Sequence, residues 1–233
     1  MPARFAVALL LEIVYAVFTR TWLRAHASGI ELELWVTACR LVSLAAYGLL
    51  FRDLLRQPPC QPTSVRAVRA TPLLFAGLLP LLLVPLLFYG GYSGERTSRI
   101  VFAVTSIAVA LREEVFYRGI LLSLLARRLG FAKALVVSNI LFVLYHYGAQ
   151  PLYLVGTTEI FVMGCVLGLL YQATGTLLAP IALHAIYDAL WSLGPIVMPL
   201  PDIFRIPLHL LGLVLIVSWM KSQKSAESGA LAR

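Results

Sequence analysis

Apolar stretches close to the thickness of a lipid bilayer recur along the whole chain, and nothing else constrains its fold as strongly. A helix needs about 20 predominantly apolar residues to cross the hydrocarbon layer. Stretches of that kind lie at roughly 5–23, 34–51, 71–91, 99–126, 131–148, 152–171, 176–194 and 205–220. Hydrophobic residues make up 60% of the chain and charged residues only 13%, against about 25% charged in soluble domains. The expected fold class is therefore all-α: a polytopic helical membrane protein of about eight transmembrane helices. No soluble domain of any size is left over, and the longest polar connection is 52–69.

The individual stretches differ in ways that matter. The third carries Pro72, Pro80 and Pro85 and is expected to kink, which neighbouring helices tolerate in a membrane. The fourth is longer than one crossing requires and holds a charged cluster, so a tilt or an irregularity is expected there. The first lacks a small-residue cleavage site and contains Glu12, which reads as a retained helix and not a removable signal. No internal repeat is visible.

The formal net charge of +8 comes from basic residues in the connections, so it sets orientation and does not point to a nucleic-acid partner. If eight helices span, Arg4, Arg52, Arg56, Arg66, Arg69, Arg127, Arg128, Lys133, Lys221, Lys224 and Arg233 lie on one side. Arg20, Arg24, Arg96, Arg99 and Arg205 lie on the other, eleven against five. The positive-inside rule then places both termini in the cytoplasm. Cys39 and Cys165 fall in apolar stretches and Cys60 in a proline-rich loop, without metal-ligand spacing or a disulfide framework.

Against this apolar background three short clusters of ionisable residues stand out. They are Arg112-Glu113-Glu114-Val115-Phe116-Tyr117-Arg118, Phe142-Val143-Leu144-Tyr145-His146 and His184-Ala185-Ile186-Tyr187-Asp188. A charge at the bilayer centre costs at least about 2.5–3.5 kcal/mol, so such residues usually face an interior or a cavity. On a helix Glu114 and Arg118, four apart, share a face and can pair. Glu113 is rotated from Glu114 by about 100° and need not be consumed by the same arginine, which leaves it available as a general base. The bland reading is that all three form one packing network between helices. His146, taken alone, reads more readily as a hydrogen-bonded interior histidine than as a catalyst. His184 and Asp188 are again four apart; Asp188 can fix the tautomer of His184, or both can face one ligand. Asn139, a turn and a half before His146, is a candidate supporting donor.

Two hydrolytic mechanisms use this inventory. In one, Glu113 and His146 hold a water and take its proton as it attacks a carbonyl, while His184 and its neighbour stabilise the oxyanion. In the other, Glu113, His146 and His184 bind a zinc ion whose water is the nucleophile. The HExxH pattern of many soluble zinc proteases is absent.

The order Glu-Glu-x-x-x-Arg (Glu113, Glu114, Arg118), Phe-x-x-x-His (Phe142, His146), His-x-x-x-Asp (His184, Asp188) resembles the CAAX-protease and bacteriocin-processing family, also called the Abi family. Its members are polytopic intramembrane endopeptidases related to the Ras-converting CAAX endoprotease. The resemblance covers roughly 97–195. It implies a catalytic core there, preceded by N-terminal transmembrane helices over 1–96 and followed by a last helix and polar tail over 196–233, with a central conical cavity. It further implies Glu113 as the water-activating base with His146 as partner, and Glu114 and Arg118 as a supporting pair. His184 and Asp188 fall at the oxyanion-stabilising positions. A glutamic-type mechanism without a cofactor is the implied chemistry, with zinc as the alternative. Asp188 departs from the asparagine of the eukaryotic enzymes, since an ionised carboxylate repels an oxyanion that an amide would hold. Asp188 must then be protonated, or orient His184 and leave the donor role to it.

The implied activity is cleavage near the C-terminus of a membrane-associated protein or peptide, in what is expected to be a bacterial inner membrane. A non-catalytic immunity or scaffold protein that binds a peptide in the same cavity, and a proton-relaying transporter, use the same residues; a transporter is expected to show a repeat. Elsewhere, Glu12 and Arg40 can pair across the first two helices or sit near an interface, and snorkelling is the expected account for Arg40. Glu159 is expected to be structural, and His26 and His209 belong to no cluster. The orientation is checked by a reporter fused after Arg233: cytoplasmic signal is expected, and periplasmic signal contradicts it.

Overall fold

The computed structural model describes residues 2–56, 74–80, 83, 95–147, 154–194 and 202–231, which are almost wholly helical with no strand among them. Helix α1 covers Pro2–Val17, continues as a π-helix over Phe18–Leu23 and closes with Arg24–His26. Helix α2 is Gly29–Leu50 and α3 the short Arg52–Arg56. Helix α4, Arg96–Glu114, passes without a break into a π-helical segment, Val115–Leu122, and then into α5, Ser123–Leu129. The rest are α6 (Phe131–His146), α7 (Leu154–Thr174), α8 (Leu178–Leu193) and α9 (Asp202–Leu231). Seven of the predicted spans thus correspond to described helices. The third, with its expected kink, lies outside the described residues apart from the helical 74–80 and Leu83. The same holds for most of the 52–69 connection and Cys60.

Two boundaries differ from expectation. Helix α2 begins at Gly29, ahead of 34, because Glu33 is not a loop residue: its Oε1 accepts from Arg40 Nη1 at 2.6 Å and from Thr105 Oγ1 on α4 at 2.6 Å. Helix α9 runs through the polar tail to Leu231, past 220. The irregularity expected in the fourth span is the π segment, which starts directly after Glu114.

Ala3–His26, Gly29–Leu50 and Gly156–Thr174 are each long and apolar enough to cross a bilayer. Helices α6 and α8, which carry the histidines, have 16 residues each. At 1.5 Å per residue they reach about 24 Å, short of the ~30 Å hydrocarbon layer. Helices α1 and α2 turn Leu10, Ile13, Val14, Trp35, Val42 and Leu49 outward, the surface expected to face lipid. Inward, α8 lies along α4, α2 crosses α4, and α9 lies along α7. One apolar core joins Leu122, Leu135, Val166, Leu170, Leu183 and Ile216, and a second joins Tyr47, Phe51, Phe116, Ile120 and Phe142. The π segment supplies residues to both, which puts the charged cluster at their boundary.

Helices in lipid associate through close packing, not through the hydrophobic effect, so small residues mark their seams. Gly164 and Gly168 form a Gly-x-x-x-Gly stripe on α7 that meets α6. A Cβ at Gly168 would strike the end of the Leu135 side chain; at Gly164 it would strike Asn139 Oδ1 and approach Arg118 Nη2 at 3.2 Å. Leu135 can rotate aside, whereas Asn139 and Arg118 are both held by hydrogen bonds. Gly164→Ala is therefore expected to cost about 1–3 kcal/mol and Gly168→Ala less, measured by thermal denaturation in detergent. Equal melting temperatures would contradict this account of the seam.

Candidate active site

The charged cluster is buried where α4 becomes the π segment: Glu114, Arg112 and Arg118 are wholly inaccessible and Glu113 is 5% exposed. Burial of that depth requires each charge to find a partner. Arg118 Nη1 donates to Glu114 Oε1 at 3.1 Å, the pair that the four-residue spacing predicts. Arg118 Nη2 donates to the carbonyl of Gly164 on α7 at 3.0 Å, and its guanidinium lies over the Phe142 ring of α6 at 4.6 Å. From α8, His184 Nδ1 donates to the same Glu114 Oε1 at 2.7 Å. Glu114 is thus bonded from two sides.

Its neighbour is placed differently. Glu113 points away, as the helical rotation predicts, and among the described residues its Oε2 makes no hydrogen bond. His184 Nε2 stands 3.9 Å from that oxygen. His146 closes α6 and donates from Nδ1 to the carbonyl of Phe142 at 2.8 Å. A carbonyl can only accept, so the hydrogen-bond network assigns the proton to Nδ1 and leaves a lone pair on Nε2 in the neutral ring. His146, His184 and Arg112 all lie near enough for their charges to act on Glu113. Glu113, His146 and His184 are thereby brought together from α4, α6 and α8.

Asp188 corrects one alternative. The Nδ1 of His184 is taken by Glu114, so Asp188 does not fix its tautomer from that side; Asp188 Oδ2 lies 3.6 Å from Nε2, beyond a hydrogen bond. The four-residue spacing put the two on one face but could not show which ring nitrogen faces the acid. Asn139 donates to Cys165 Sγ at 3.1 Å and packs beside Gly164 and Arg118, so its place is the α6–α7 seam, behind the arginine.

Glu12 and Arg40 do not pair. Glu12 bonds to Arg112, with Tyr47 Oη donating to it at 2.9 Å and Tyr117 Oη at 3.3 Å. Arg40 is held by Glu33 one turn and more along its own helix. Arg20, counted from sequence among the charges on the side opposite the termini, donates to the Tyr147 carbonyl at 2.7 Å and lies over the Tyr145 ring at 4.4 Å. It so places a cation at the C-terminal end of α6, where the helix dipole favours one. Glu159 is structural as expected: Tyr187 Oη donates to it at 3.2 Å, and the fully buried His209 of α9 stands 3.9 Å away. The signal for His209 was available, since a polar residue inside an apolar span implies a partner.

Among the described residues one cavity of about 280 Å³ lies between α6 and α7, lined by Ile140, Val143, Leu144, Thr157, Thr158 and Phe161, and one of about 460 Å³ lies at Arg96, Arg99, Ile100 and Leu193. No three His, Cys, Asp or Glu side chains gather closely enough for a metal ion among the described residues. The zinc set of Glu113, His146 and His184 does not fit as these side chains stand.

Fold and site together define a class: a polytopic helical membrane protein that encloses a carboxylate–histidine cluster where short helices meet. Residues 95–190 match the family described as Rce1-like, Type II CAAX prenyl endopeptidase Rce1-like. That segment is thus similar to the CAAX-protease family of membrane peptide hydrolases, in agreement with the motifs. No curated protein and no solved structure matches the chain.

Proposed function

We propose that the chain is an intramembrane endopeptidase that hydrolyses a peptide bond near the C-terminus of a membrane-associated protein or peptide, with Glu113 as the water-activating base. The observation that carries this reading is the division between two adjacent buried carboxylates. Glu114 is bonded through Oε1 by both Arg118 and His184, while Glu113 Oε2 makes no hydrogen bond among the described residues and lies within reach of both histidines. A base must have a lone pair to spare and a proton source within reach.

A water placed between them donates one O–H to Glu113 and the other to His146 Nε2. As its oxygen attacks the carbonyl carbon, the C–O bond forms, the proton passes to Glu113 and the carbonyl electrons move onto oxygen. His184 as the imidazolium, donating through Nδ1 to Glu114, presents Nε2–H to that oxyanion. When the intermediate collapses, the C–N bond breaks and Glu113 returns its proton to the leaving amine. Asp188, on the Nε2 side, joins this step in its protonated form, or through the field it places on His184. The bacterial inner membrane, cytoplasmic termini and the catalytic core over 97–195 belong to the same proposal.

The test is cleavage of a library of lipid-anchored, quenched-fluorescent peptides in proteoliposomes, with and without a chelator and with bound zinc measured. Glu113→Ala is expected to fold and to lose about 10²- to 10⁴-fold in kcat, and the wild type to keep its rate in chelator. Normal turnover by Glu113→Ala overturns the base and favours a peptide-binding protein without catalysis. Stoichiometric zinc with chelator-sensitive cleavage moves the water onto a metal.

A further inference from the structure

Arg112 and Glu113 are consecutive, oppositely charged and both buried, yet no ion pair joins them among the described residues. Consecutive side chains on a helix diverge by about 100°, but the long arginine side chain can swing back. In an interior of low dielectric a guanidinium is drawn to the nearest carboxylate, so a contact that keeps Arg112 elsewhere matters. That contact is with α1. Arg112 Nη2 bonds Glu12, and the guanidinium carbon lies 3.6 Å from the centre of the Tyr15 ring, with the Tyr145 ring at 5.1 Å. Glu12 is itself anchored by the hydroxyls of Tyr47 on α2 and Tyr117 in the π segment. Arg112 Nε and Nη1 are buried and make no hydrogen bond among the described residues, so the guanidinium keeps donors that it could give to another carboxylate. Glu113 is close enough to feel its charge.

The charges sort accordingly. Glu12 answers Arg112 and Glu114 answers Arg118, which leaves Glu113 to the histidines. We propose that Glu12 is a positioning residue: it holds Arg112 against α1 and so prevents the arginine from closing on Glu113. The inference rests on Glu113 being the base. It gives α1, which lies outside the matched residues 95–190, a part in the reaction beyond anchoring the chain.

The test uses the full-length protein in proteoliposomes and the most rapidly cleaved member of the peptide library, with rates expressed per folded molecule. Glu12→Gln frees Arg112 and is expected to lower kcat by about 10- to 100-fold, within the reach of general-base catalysis, with KM little changed. Glu12→Asp restores the anchor and most of the rate. In Glu12→Gln/Arg112→Gln the arginine released by the first change is gone and cannot clamp Glu113, so kcat rises well above that of Glu12→Gln alone. An unchanged kcat per folded molecule in Glu12→Gln, whatever its melting temperature, overturns the proposal. So does a double variant no faster than the single one. If Glu12→Gln does not fold, Tyr47→Phe removes one anchoring hydroxyl while keeping the ring. Its kcat is then expected to fall at constant KM, and an unchanged kcat is the contrary result. Failure here leaves the base assignment standing, whereas normal turnover by Glu113→Ala removes that assignment itself.

Discussion

The rest of the site hangs on one buried carboxylate. Glu114 takes hydrogen bonds from Arg118, four residues on, and from His184 on α8. Through Arg118 it is tied to the Gly164 carbonyl of α7 and the Phe142 ring of α6. Four elements therefore meet at a single side chain whose exposure is zero. Removing one partner of such a pair strands a buried charge and costs about 3–5 kcal/mol, a large part of the ~5–15 kcal/mol that keeps a protein folded. The Gly-x-x-x-Gly seam fits the same centre, because only glycine at 164 lets α7 approach Arg118 and Asn139.

Fixing Glu114 in this way is what sets Glu113 apart. Adjacent positions on a helix diverge by about 100°, so the two carboxylates meet His184 at different edges: Glu114 binds Nδ1 through Oε1, and Glu113 stands 3.9 Å from Nε2. The change to π-helix comes immediately afterwards, and single π turns inside α-helices are frequent at functional sites. Two carboxylates of identical chemistry thus acquire different work through geometry alone. In the proposed reaction one carries structure, and the other turns a lone pair toward the water it activates.

Much of this was readable in the residues. Bilayer-length apolar stretches located seven helices, and the four-residue spacing of Glu114 and Arg118 gave their pair, because both signals are local and repeat with the helix. What was not readable depends on which helices become neighbours. Glu12 and Arg112 are 100 positions apart, and Glu12 had a nearer-looking partner in Arg40, which Glu33 claims instead. The partner of His184 Nδ1 is Glu114 and not Asp188, since a shared face on one helix says nothing of what the opposing helix presents. The early start of α2 was hidden by glutamates that read as loop until Glu33 is seen among Arg40, Thr37 and Thr105.

The central claim is the division of labour between two neighbouring glutamates, and swapping each carboxylate for its amide isostere tests it most directly. Melting temperature and peptide cleavage are measured together for Glu113→Gln and Glu114→Gln in the same lipid. The account predicts that Glu113→Gln melts with the wild type and does not cleave, while Glu114→Gln melts far lower. It is contradicted if Glu113→Gln cleaves at the wild-type rate while Glu114→Gln is the variant that folds normally and has lost activity.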